Sequence, residues 1–221
     1  MSERRPYRRE AEDIRRDALI GAALELIAKG GPKSATVRAI ADRAGVTPGL
    51  IRHYFASKEE LTRAAYRRLM DRMNGENAEV LKAQQDSPLA RLAAFVAASL
   101  RPPIVDPERV GLWAGFLHDV RRDPQMKAIH QTSYYDYRDL LQSLIADLPR
   151  AADAPQLRAD AIACNAVIDG LWLEGSVLPE SFAPGELESI GLAAIGAILG
   201  VILPAPELAP ELAPAPNPST L

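Results

Sequence analysis

Residues 36–61 read TVRAIADRAGVTPGLIRHYFASKEEL, and the fold follows from this stretch. Val37, Ile40, Ala41 and Ala44 fall on one face of a short helix that Gly45 ends. Thr47-Pro48 reads as an N-cap followed by proline at the first helical position, which opens a second short helix through Phe55. Ser57 with Glu60 three residues later is a capping box, predicting a long helix from about residue 57 to residue 84. Working upstream, Leu19, Ala22, Ala23, Leu26 and Ile27 make an amphipathic face, closed by Gly30-Gly31-Pro32. Working downstream, residues 87–100, 107–122, 123–148, 155–178 and 184–203 repeat the helical pattern between proline breaks, and strand signals are scarce. The expectation is an all-α chain of about nine helices.

Two short helices joined by Ala44-Gly45-Val46 make a helix-turn-helix. Glycine permits the sharp turn, Val46 fills the space between the helices, and the second helix is left free to enter a major groove. Its first residues, Thr47, Pro48 and Gly49, are small, so the amides at its start can approach phosphate. Arg52 and His53 follow as donors to base edges or phosphate, and arginine is the commonest reader of guanine. Arg38 and Lys58 flank the site as phosphate clamps. The pattern alone is only moderately specific, because any tight helix pair can use glycine.

The ordered run from Thr36 to Leu61, with the amphipathic helix before it, closely resembles the DNA-binding segment of the TetR family of bacterial transcriptional regulators over about residues 10–70. The resemblance implies that Thr36 and Arg38 touch an operator from the second helix and that Lys58 binds phosphate. It places Thr47, Pro48, Gly49, Leu50, Arg52, His53 and Tyr54 toward the groove, with Ala44, Val46, Ile51 and Phe55 as core. Leu50 stands where many members carry threonine, Arg52 where they carry tyrosine, and Tyr54 where histidine usually precedes the phenylalanine. The docking mode carries over; the operator sequence does not. His53-Tyr54-Phe55 and the run Ile168 to Leu173, IDGLWL, further resemble the subgroup of choline-responsive repressors of betaine synthesis genes.

The chain has 221 residues, 48% of them hydrophobic and 25% charged, as expected of a globular protein of one or two domains. Its formal net charge of −3 conceals an asymmetry. Residues 1–75 hold sixteen basic and ten acidic side chains, or +6, while residues 76–221 hold ten basic and nineteen acidic, or −9. A basic first third suits a polyanion partner, although a charged face can equally be plain solvated surface. The charged N-terminus does not read as a signal peptide, and the longest apolar run, Ile190 to Leu203, falls short of the ~20 residues that span a bilayer. A cytoplasmic, membrane-free protein is expected. Six of the 18 prolines lie in residues 204–221, with Glu-Leu-Ala-Pro repeated at 207–210 and 211–214, so this segment reads as a disordered tail of polyproline character. The expected division is residues 1–60 for DNA binding, 61–203 for ligand binding and dimerisation, and 204–221 as tail.

In the acidic part, Ala161, Cys164, Asn165, Ile168, Leu171, Trp172 and Gly175 form one helical stripe, and Leu187, Ile190, Ala194, Ile198 and Val201 another. The second helix is apolar nearly all round and rich in small residues, so it must be buried; a core would serve, but the family resemblance favours a four-helix dimer bundle. The family resemblance implies a homodimer, with two recognition helices about 34 Å apart reading half-sites one turn apart. Trp113, Phe116, Tyr134, Tyr135, Tyr137 and Trp172 gather half of the aromatics centrally, beside Asp169 and near Asn165. Taken singly, each aromatic reads as core; together with a carboxylate, they would suit a cationic small-molecule effector. His53, His118 and His130 lack partners at metal-ligand spacing, and the lone Cys164 excludes a disulfide framework and reads as a core thiol. No phosphate loop, nucleophile elbow or CxxC appears, so neither catalysis, metal nor cofactor is expected. The expected function is a DNA-binding regulator, in the main a repressor released from a palindromic operator by its ligand. The alternative is a helical ligand-binding or scaffolding protein that works through protein partners.

Overall fold

The computed structural model describes residues 4–82 and 87–205, those before Glu12 by their backbone alone. Among them are nine α-helices and no strand: α1 (Arg4–Gly30), α2 (Val37–Arg43), α3 (Pro48–Tyr54), α4 (Lys58–Glu79), α5 (Pro88–Ser99), α6 (Pro107–Val120), α7 (Pro124–Ala146), α8 (Ala154–Val177) and α9 (Glu186–Leu199). The expected all-α chain is therefore observed. One device starts most of the later helices. Ser87, Asp106, Asp123 and Asp153 sit at N-caps, each accepts a backbone N–H from the first turn, and each is followed by proline within two residues. The helix expected to reach residue 84 ends at Glu79 and gives way to a single 3-10 turn over residues 80–82. Residues 206–221, most of the expected tail, lie outside the described residues.

Two apolar cores form. The first gathers α1 to α4 with Leu112 and Phe116 of α6 and Met126 and Ile129 of α7. The second gathers α5 to α9 around Phe95, Leu141, Ile145, Cys164 and Ile195. Trp113 and Met73 pack against both. Helix α4 runs unbroken through residue 60, so the first three helices join the remainder by a helix rather than a linker.

Helix α9 departs from the expected stripe. Its buried residues are Leu187, Gly191, Leu192, Ile195, Gly196 and Leu199, while Ile190 and Ile198 are 41% and 38% exposed. A Cβ at Gly191 would collide with Leu100, so glycine there lets α9 lie close on α5. Helix α8, which packs against α9, also exposes apolar residues, Ile162, Leu173 and Val177.

Candidate nucleic-acid interface and effector cavity

Helix α2 starts at Thr36, whose hydroxyl accepts the Ala39 amide at 3.1 Å. The chain then reverses at Gly45, where φ is +66°, and Val46 N–H closes back on the Ala41 carbonyl at 2.9 Å. A left-handed residue with no side chain is what this turn requires. Thr47 occupies the N-cap of α3 as expected, but its side chain makes no capping bond. Thr47 is exposed at the start of the helix, with its hydroxyl not engaged in a cap. Ile51 and Phe55 are buried in the first core, and Arg16 lies 5.1 Å over the Phe55 ring.

Thr36, Arg38, Thr47, Pro48, Gly49, Arg52 and His53 are exposed on this surface. Leu50, Tyr54 and Lys58 are half-buried. Tyr54 packs against the first core and edge-on to His53 at 5.1 Å, so it is in part structural. Ala44 and Val46, expected in the core, pack against it from a partly exposed position. Elsewhere in the basic third, Arg43, Arg63, Arg68 and Arg72 are paired with Glu25, Asp123, Asp17 and Glu76. Among the described residues Arg38, Arg52 and Lys58 form no ion pair, which leaves their charge for an external anion.

The second site is a cavity of about 300 Å³ between α4, α6, α7 and α8. Six of the seven residues expected for a ligand line it: Trp113, Tyr134, Tyr137, Asn165, Asp169 and Trp172. Phe116 does not. It is fully buried in the first core with its ring 4.9 Å from Tyr66, because it lies on the α6 face turned toward α4. Trp113 and Trp172 meet edge to face at 5.3 Å, and the Trp172 indole N–H donates to the Ile104 carbonyl at 2.9 Å.

Asp169 carries the charge of this cavity. Its Oδ2 accepts from the Tyr134 hydroxyl at 2.7 Å and from Asn165 Nδ2 at 2.8 Å, and it has no cationic partner within ion-pair distance among the described residues. Burial raises its carboxyl above the usual range, against the pull of those two hydrogen bonds and of His130. Burial, together with the Asp169 carboxylate, pushes the Tyr134 phenol up to about 12, so it remains a donor. The amide Oδ1 of Asn165 is buried without a partner.

Sequence reasoning missed the polar residues at the cavity's other end. The Tyr137 hydroxyl lies 2.9 Å from Ser99 Oγ, which in turn reaches the Phe95 carbonyl at 2.9 Å and Asn77 Oδ1 at 3.0 Å. Asn74 donates to the Ser133 carbonyl at 2.8 Å. The available signal was the appearance of Asn77 and Ser99 on otherwise apolar helix faces. Cys164 is buried as expected, and burial pushes its thiol up to about 12.

Two family models match the chain, one in each part. Residues 19–65 match the bacterial regulatory proteins of the tetR family, and residues 88–200 match the C-terminal region of BetI-type transcriptional repressors. The HTH-type transcriptional regulator BetI of Serratia proteamaculans is 34% identical over 173 residues, covering 77% of this chain and 85% of that protein. A transcriptional regulator of Pseudomonas aeruginosa PAO1 has a solved structure with TM-score 0.78 and 30% identity, covering 85% of this chain and 91% of that one. A regulator from Saccharomonospora viridis, solved in complex with choline, shares the fold with TM-score 0.65 at 18% identity, over 84% of this chain and 95% of that one. Helix-turn-helix, cavity and relatives together make this chain a member of the TetR family of ligand-responsive, DNA-binding transcriptional regulators, with a C-terminal region of the BetI type.

Proposed function

We propose that the chain is a homodimeric repressor that leaves a palindromic operator when a quaternary ammonium compound of the choline class fills the cavity. The observation that carries the ligand class is Asp169. A half-buried carboxylate without a counter-cation, facing Trp113, Trp172, Tyr134 and Tyr137, supplies negative charge and ring faces together. The choline complex of the Saccharomonospora viridis regulator supports the same class. The exposed apolar faces of α8 and α9 support pairing of two copies, because contiguous apolar surface of this kind is costly to leave in water. On DNA, Thr36, Arg38, Thr47, Pro48, Gly49, Leu50, Arg52, His53 and Lys58 form the contact surface of each copy, with Tyr54 bracing it. The ligand acts by favouring a state whose two recognition helices no longer match the half-sites.

The two tryptophans of the chain both line the cavity, so intrinsic fluorescence reports on it directly. Choline should change that fluorescence saturably. It should also weaken binding to DNA from the region upstream of the chain's own gene, with affinity falling steeply as salt rises. Saturable binding of choline without any effect on DNA affinity would overturn the repressor reading; a flat titration would overturn the ligand class.

A further inference from the structure

We propose that His130 is the positioning residue through which the effector cavity acts on the DNA-binding end, by tying Tyr134 of the cavity wall to Tyr66 inside α4. This rests on the cavity reading above. The contacts form an unbroken file across three helices. Asp169 of α8 accepts from Tyr134 of α7 at 2.7 Å. One helical turn earlier on α7, His130 stacks on Tyr134 with ring centroids 5.8 Å apart and planes 25° from parallel. On its other side His130 lies nearly parallel to the Tyr66 ring at 6.2 Å, and its Nδ1 is 2.6 Å from the Tyr66 hydroxyl. Tyr66 is fully buried in the core that also holds Ile51 and Phe55 of the recognition segment. It sits eight residues beyond Lys58, about 12 Å along α4 from the start of that helix.

The hydroxyl is what makes this file directional. A buried phenol without a partner is costly, and among the described residues the Tyr66 hydroxyl has His130 as its partner. When a ligand at Asp169 shifts Tyr134 and with it α7, Tyr66 must either follow His130 or lose that bond. Apolar packing alone would let the helices slip; a hydrogen bond with one acceptor position does not. A second contact between the same regions runs along α6, from Trp113 in the cavity to Phe116 against Tyr66, and it is the competing route.

The test uses the full chain and its upstream DNA, with affinity measured by fluorescence anisotropy. Asp169→Asn removes the charge that a bound cation would neutralise and needs no ligand. It should weaken DNA binding at least about fivefold in the wild-type background and less than about twofold beside His130→Phe, which keeps a ring for stacking but no bond. His130→Asn, with an amide near the Nδ1 position, should restore most of the effect. If His130→Phe does not fold, Tyr66→Phe breaks the same bond without burying an orphan hydroxyl, and the same result is expected. An equal effect of Asp169→Asn in both backgrounds, or none in the wild type, overturns the proposal, the former in favour of the α6 route. Choline titrations of the same proteins run in parallel. A wild type that ignores choline while the Asp169→Asn result stands removes the ligand class and leaves the role of His130 in place.

Discussion

At the scale of single residues, Asp169 and Arg52 carry the sharpest expectations. Asp169 must be ionised to attract a cation, and burial raises its carboxyl above the ordinary range. Choline affinity should therefore begin to fall at a higher pH than an exposed aspartate would allow, as acid protonates the group. Protonation of His130, whose own value burial lowers, acts in the same direction. Tryptophan fluorescence titrations over a pH series check this, and an affinity that falls only where an exposed aspartate protonates would count against it. Asp169→Asn should cost at least about tenfold in choline affinity, some 1.4 kcal/mol. On the other surface, Arg52→Ala should relax operator preference by weakening the best sequence most, as expected of a base contact. The aromatics and the carboxylate were legible in the sequence because such residues are scarce and distinctive. Ser99, Asn77 and Tyr66 were not, since each means something only through a partner 22 to 64 residues away.

At the scale of helices, the strongest local signals survived and the face-choosing ones did not. Capping chemistry involves residues two to four apart, so the Ser57 cap was readable and accepts its backbone N–H, as Ser87, Asp106, Asp123 and Asp153 also do at helix starts marked in the sequence by proline; Thr47 holds the expected N-cap position without the side-chain bond. Helix α9 offered no such guidance. A helix apolar nearly all round gives periodicity no polar face to set against the core, so the choice between the Ile190–Ile198 face and the Leu192–Leu199 face came only from packing against α5 and α8. The turn before α3 was readable because its requirement is conformational. Gly45 holds φ at +66°, and a Cβ there would meet nothing within 4 Å. Gly45→Ala should thus destabilise the fold by about 1–2 kcal/mol through backbone strain alone, and Gly45→Asn by less. Urea unfolding measures both; an alanine variant as stable as wild type would mean that the turn can relax into another geometry.

At the scale of the whole molecule, the partition of charge and the exposed apolar stripe bear on one quantity, the salt dependence of DNA binding. Of the first third's cations, Arg43 and Arg68 pair with Glu25 and Asp17 of the same third, while Arg63 and Arg72 pair with Asp123 and Glu76 beyond it, so only two units of the +6 excess are offset by these pairs. Among the described residues, Arg38, Arg52 and Lys58 of the proposed contact surface form no ion pair, so each copy offers these three cations to phosphate. Pairing doubles them. Each phosphate contact contributes about 0.9 to the slope of log affinity against log salt. Lys58→Ala should therefore reduce that slope by roughly 2 if a dimer sits on the operator, and by roughly 1 if a monomer does, while leaving sequence preference unchanged. The stripe supplies the control. Ile198→Glu places a charge at the centre of the exposed α9 face without touching the folded core, because Ile198 is 38% exposed. It should leave the melting curve of the isolated subunit intact, convert the protein to monomer in sedimentation, and bring the Lys58→Ala slope change down from about 2 to about 1. A slope change near 1 in the unmodified protein would instead assign DNA binding to single copies and leave the stripe with another partner.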